Sequence, residues 1–241
     1  MLNCEIAEEL NNNNLSNRER QRIYNNLIQQ LISLLRSVGV NINNAKVELI
    51  SEKDACQRKL VDCDEVKSTK ALYKDYKVYV IKERNVCVQN LLHELLHSLQ
   101  NQQWGSVYDL IKEGLVEFIS AYVLYENKDH EFKIDGINIK LYQCFRCTVN
   151  RRFTPCSISE RLGYSNGYSL WATIYKRYKL TLNDFLDILT NFKSEDHNVQ
   201  LLMDDIRGAN KIEDPCDILA DEQLKRECKD IETFFEYNVF Y

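Results

Sequence analysis

Residues 93–97 read His-Glu-Leu-Leu-His, and this short run constrains the chain more than any other. It lies in a stretch, 88–100, whose apolar positions Val88, Leu92, Leu95 and Leu99 recur at helical spacing. Four residues of α-helix advance about 400°, so His93 and His97 stand one turn apart on nearly the same face. Glu94 lies roughly 100° from His93, close enough to address whatever the two imidazoles hold. The apolar stripe falls elsewhere on the helix, which leaves the histidines free of packing duty.

Two imidazoles one turn apart can both reach a single ion at about 2.0–2.1 Å, the bonding distance of zinc. They leave a tetrahedral site short of a protein ligand and of an open position for water. The next helical run, about 106–125, supplies a candidate in Lys112-Glu113-Gly114-Leu115-Val116-Glu117-Phe118. Its two carboxylates share a face at i and i+4. We read Glu113 as the third ligand and Glu117 as the outer acceptor that fixes the tautomer of His93. Gly114 costs a helix interior about 1 kcal/mol relative to alanine, which makes sense where another helix or a metal approaches closely.

These residues resemble the gluzincin metallopeptidases, in which a His-Glu-x-x-His helix is followed by a helix whose glutamate completes the zinc site. Thermolysin-like members add an acidic residue four positions later, and Glu113, Gly114 and Glu117 match that pattern. Tyr164-Ser165-Asn166-Gly167-Tyr168 is similar to the aminopeptidase branch, which places a tyrosine three residues before a glycine at a helix start. The resemblance implies that Tyr164 donates a hydrogen bond to the oxyanion, with Tyr168 one turn on as its substitute. The linker from His97 to Glu113 is shorter than in that branch, and the Gly-x-Met-Glu-Asn motif that binds a substrate amino group is missing. The resemblance spans about 78–193.

The surrounding chain predicts a helix-dominated α+β fold. Only two prolines and seven glycines interrupt 241 residues, 44% of them hydrophobic, which favours long helices around a real core. Ser16 followed by Glu19 is a capping-box signature, and Ile23, Leu27, Leu31, Leu34, Leu35 and Val38 then recur at helical spacing until Gly39. Between 46 and 81 the runs Val47–Ile50 and Lys77–Ile81 predict a small, mostly antiparallel sheet, with Leu72-Tyr73 pairing across a turn at Lys74-Asp75. Asp135-Gly136 predicts a two-residue hairpin turn between Phe132–Ile134 and Ile137–Ile139. Helices return at about 166–179, at 182–193 behind a Thr181 cap, and at about 216–236. The organisation read from this is an N-terminal helical segment (1–45), a zincin-like domain (46–193) and a C-terminal helical extension (194–241).

Nine cysteines are many for a reduced cytosolic chain and, being odd in number, cannot all pair with one another. Intracellular disulfides of the hyperthermophile kind, a second metal site, and use of cysteine as a small hydrophobe all account for them. Cys56 with Cys63 and Cys216 with Cys228 are near enough to close short loops. Cys144 and Cys147, with Cys156 and His130, would start a structural zinc site, against the alternative of a disulfide or buried thiols. The aromatic run 233–237 would dock on the core or cover a cleft.

A net charge of -5 with scattered basic pairs argues against nucleic acid as a partner. No apolar run approaches the roughly 18 residues of a membrane span, and the N-terminus lacks a leader pattern, so a cytoplasmic location is expected. The expected activity is zinc-dependent hydrolysis of a peptide or protein substrate, with Glu94 as general base and Tyr164 as oxyanion donor. Two alternatives stand beside it: a non-catalytic binding protein that keeps the metal for stability, and a regulatory protease dedicated to one protein partner.

Overall fold

A computed structural model describes residues 15–84, 86–107, 109–141, 162–209 and 214–230. Those residues form an α+β fold dominated by helices, with one three-stranded and one two-stranded sheet, as the composition predicts. They divide into two compact units, one holding 15–98 and 124–141, the other 99–123 and 162–230.

In the first unit, helix α1 (Asn17–Ser37) starts and stops where its sequence signals lie. Ser16 Oγ accepts from the Glu19 N–H while Glu19 accepts from the Ser16 N–H at 2.8 Å. Gly39 follows with φ 89°, the left-handed conformation that ends helices and that glycine adopts without steric cost. The apolar stripe from Ile23 to Leu35 is buried.

Strands β1 (Lys46–Ile50), β2 (Ala71–Lys74) and β3 (Lys77–Ile81) form a sheet in the order β1-β3-β2. β2 and β3 make the expected antiparallel hairpin, but its turn is Asp75-Tyr76, one residue later than predicted, with both residues at positive φ. β1 runs parallel to β3, so this sheet is mixed rather than mostly antiparallel. A parallel pair needs a crossover, and the chain supplies one through α2 (Glu52–Gln57), the turns after it, and β2 itself. A second hairpin pairs β4 (Glu131–Ile134) with β5 (Ile137–Lys140) across Asp135-Gly136, both at positive φ as a type I′ turn requires.

The two faces of the three-stranded sheet are covered unequally. On one, α1 and helix α3 (Val88–His97) pack against the strands. On the other, Ile50, Tyr79 and Ile81 meet Ala55 and Val66 in a small cluster with partly buried Leu60, Val61 and Leu72. A disulfide between Cys56 and Cys63 closes that crossover.

The second unit is helical among the described residues. It contains a 3-10 turn (Gln102–Ser106), α4 (Asp109–Glu126, to residue 123), α5 (Leu162–Tyr178), α6 (Leu182–Asn191), α7 (His197–Gly208), a second 3-10 turn (Pro215–Ile218) and α8 (Glu222–Lys229). Its core is aromatic: Phe118 meets Tyr168, Tyr175 and Phe185, and Trp104 meets Trp171 and Phe192. Both indole N–H groups find backbone acceptors, Trp104 on Leu189 at 3.0 Å and Trp171 on Ile111 at 2.9 Å, as buried indoles must. Thr181 caps α6 as predicted, through a reciprocal pair with Asp184. Over the described part of the expected 216–236 helix, the chain instead forms the second 3-10 turn and the short α8, joined by a Cys216–Cys228 disulfide. Residues 231–241, with the aromatic run, lie outside the described residues. No helix of the described residues is long and apolar enough to cross a membrane.

Candidate metal centre

α3 ends with the predicted histidines on its last turns. Its N-terminus is closed by Asn90, whose side-chain oxygen accepts from the Cys87 N–H at 3.2 Å. Its C-terminus is closed at Ser98, whose Oγ donates to Leu95 O at 2.6 Å. The helix therefore ends at His97, with Ser98 as its cap, rather than at 100. Val88, Leu91, Leu92, Leu95 and Leu96 are buried, so the helix is clamped along one side and at both ends.

That clamp aims the imidazoles at one point. The Nε2 atoms of His93 and His97 lie 2.9 Å apart, with ring centroids 4.7 Å apart and planes at 73°. Two nitrogens each about 2.0–2.1 Å from one tetrahedral ion stand about 3.3–3.4 Å from one another, so the observed pair needs to open by only a few tenths of an ångström. His93 is 5% exposed, and His97 is half-buried. One ligand atom from each of His93, His97 and Glu113 lies within 4.8 Å of the others. This His-His-Glu group could hold a metal ion, and it is the group named from the sequence. Glu94 follows His93 on α3 and is half-buried.

Glu113 owes its position to a helix crossing. A Cβ at Gly114 would stand 2.1–2.6 Å from backbone atoms of Gly167, and one at Gly167 would stand 2.0 Å from the Leu110 carbonyl oxygen. α4 and α5 thus touch backbone to backbone beside the ligand. The sequence reading of Gly114 as a site of close approach holds, and the approaching partner is α5. Gly167, read from sequence only as part of a helix-start motif, is the other half of that crossing. Two glycines on separate helices carry no local signal that they meet.

Glu117, one turn beyond Glu113, is 8% exposed. Burial pushes the Tyr168 phenol well above its ordinary value, and the nearby Glu117 carboxylate adds to the rise. Tyr168 is thus buried close to Glu117 in the aromatic core. The Tyr164 backbone lies in the first turn of α5, while its side chain falls outside the described residues. Cys144, Cys147 and Cys156 fall outside them too, and His130 is exposed against Phe132.

Sequence reasoning also missed Tyr73 on β2. Burial raises its pKa and the nearby Ser98 hydroxyl offsets part of the rise, and its strand packs against α3. Compared with family models, curated proteins and solved structures, the chain matches none.

Proposed function

We propose that the protein is a zinc-dependent peptidase in which His93, His97 and Glu113 hold the metal and Glu94 is the general base. The observation that supports this reading best is the convergence of two imidazole nitrogens and a carboxylate oxygen within 4.8 Å. The donor set suits the proposal. Two neutral nitrogens and one carboxylate are a zinc set of the catalytic type, which leaves a fourth position open.

Zinc bound there supplies Lewis acidity, which acidifies water and polarises a carbonyl oxygen. The work of the protein is to hold and move protons around it. Glu94 takes a proton from the attacking water and passes it to the leaving amine nitrogen. Glu94 follows His93 directly on α3 and is half-buried, which supports giving it this role. Glu117 is proposed to accept from the imidazole of His93 and fix its tautomer. Tyr164 is proposed to donate to the oxyanion. The substrate class is a peptide or protein.

The test is a pair of variants. Glu94→Gln retains zinc and loses peptide hydrolysis, by a factor of about 10² or more, whereas His97→Ala loses both. Hydrolysis at the wild-type rate in Glu94→Gln removes the general-base role. The 2.9 Å between the histidine nitrogens is also a hydrogen-bond length. A protein that keeps this pair for packing alone would be purified, and would refold, without zinc.

A further inference from the structure

We infer that the Cys56–Cys63 disulfide is a thiol-responsive clasp: opening it frees the 51–70 crossover, loosens strand β2, and through the packing of β2 on α3 loosens the histidine helix. The regulatory output, weaker metal binding, rests on the metal reading of α3 proposed above.

Three observations carry the inference, and the first is unequal access. Cys216 and Cys228 are both fully buried, whereas Cys63 is exposed and Cys56 half-buried. Thiol–disulfide exchange needs a thiolate to reach a sulfur. The outer bond offers one and the inner bond does not.

The second is how little buried apolar surface holds the crossover, whose Arg58 reaches Glu48 on β1 through a partly exposed ion pair of the kind worth little in water. Between the two cysteines no side chain of 57–62 is fully buried, and Leu60 and Val61 only flank the small cluster on that face of the sheet. Lys59 is held at φ 53°, a conformation that costs a lysine about 1–2 kcal/mol. A segment with few buried contacts opens locally at low free energy once its cross-link is gone.

The third is a connection to α3. Among the described residues β2 is an edge strand, paired with β3 alone. Its Leu72 packs in the crossover cluster. The next residue, Tyr73, points to the opposite face as strand alternation requires, the face on which β2 packs against the histidine helix α3, with the Ser98 hydroxyl near its own. Loosening one face of β2 therefore loosens the packing on the other.

The chemistry balances with a dithiol as reductant. A thiolate of the dithiol attacks Sγ of Cys63, and Cys56 leaves as a thiolate that takes up a proton. The second thiol of the reagent then displaces Cys63, so the reagent becomes a cyclic disulfide and the protein gains two thiols.

The experiment treats the full folded chain with graded dithiothreitol, traps thiols by alkylation and maps them by mass spectrometry, with amide exchange followed in parallel. Cys56 and Cys63 should be labelled at least about tenfold faster than Cys216 and Cys228, and exchange should rise across 57–74. Because dithiols bind zinc, affinity is compared without reductant, between wild type and Cys56→Ser/Cys63→Ser. The double variant should bind zinc about threefold to tenfold more weakly, roughly the effect of a lost outer support. Equal labelling of the two pairs, or unchanged exchange at 71–74 after the outer bond opens, overturns the clasp. Loosened 71–74 with unchanged zinc affinity overturns the regulatory output. Absence of zinc binding by oxidised wild type sinks the metal reading and that output together, while labelling order and exchange still judge the clasp. If the double variant fails to fold, stepwise reduction of wild type gives both of those readings.

Discussion

The two units bring backbones together in opposite ways. Along α1, side chains are added to the gap. Gln21 donates to Val47 O and accepts from the Leu49 N–H at 3.0 Å, Asn25 accepts from the Val47 N–H at 2.8 Å, and Gln29 donates to Ala45 O at 3.0 Å. Amides at i, i+4 and i+8 of the helix stand in for a neighbouring strand and close the β1 edge. Where α4 crosses α5, side chains are removed instead, and Gly114 meets Gly167 directly. An amide ladder can flex by a rotamer. A glycine contact cannot, so the second kind of seam suits a helix that must present Glu113 at a fixed place.

The two seams should differ in what a substitution costs. Gly114→Ala should cost at least about 3 kcal/mol in denaturant unfolding, since the new methyl overlaps backbone that cannot rotate away. A loss under about 1 kcal/mol would mean that the crossing is looser than its geometry implies. Gln21→Ala should cost about 2 kcal/mol, because Val47 O and the Leu49 N–H both lose their partner at a partly buried edge. Gly39→Ala separates the two uses of glycine: nothing lies within 4 Å of its Cβ position, yet φ is +89°, so the loss should be about 1 kcal/mol from backbone strain alone.

Smaller effects sharpen the picture of the sheet. Tyr76 is 64% exposed and held at φ 59° at the hairpin tip. Tyr76→Gly should therefore raise stability by about 0.5–1 kcal/mol, read as a higher urea midpoint. Hydrogen bonds from Arg58 and then Lys77 hold the Glu48 carboxyl below the usual carboxylate range. With its folded pKa depressed, its contribution is present above the unfolded pKa, about 4.3, and is lost as pH falls through the folded value. Glu48→Gln should flatten that acid-side decline slightly in a pH series of unfolding curves.

What could be read from the sequence was what local chemistry fixes. Ser16 with Glu19, Thr181, Gly39 and Asp135-Gly136 each act within a few residues, and each marks an element boundary found in the fold. The histidines were legible because helical spacing alone brings them together. Glu113 was legible because it sits a short linker later on a second strongly patterned helix. The parallel β1–β3 pair, the Gly114–Gly167 contact and the packing of β2 on α3 were not. Each joins residues far apart in the chain, and neither partner carries a local pattern that names the other. The amide ladder is an intermediate case, since its spacing is visible in 21–29 but its acceptor strand is not. The β2–β3 turn was legible only to within one position, because Asp75-Tyr76 lacks the glycine that marks such turns.

Metal stoichiometry tests the central assignment most directly. Full-length oxidised protein, dialysed to equilibrium against buffered zinc and analysed by plasma mass spectrometry, should carry a single equivalent per chain. His97→Ala and Glu113→Ala should each lose most of it, with affinity down by about 10²-fold or more, as removal of a direct ligand should exceed the 10–100-fold effect of an outer one. Equal zinc in wild type and His97→Ala, or none in either, would contradict the assignment of these three side chains to a metal.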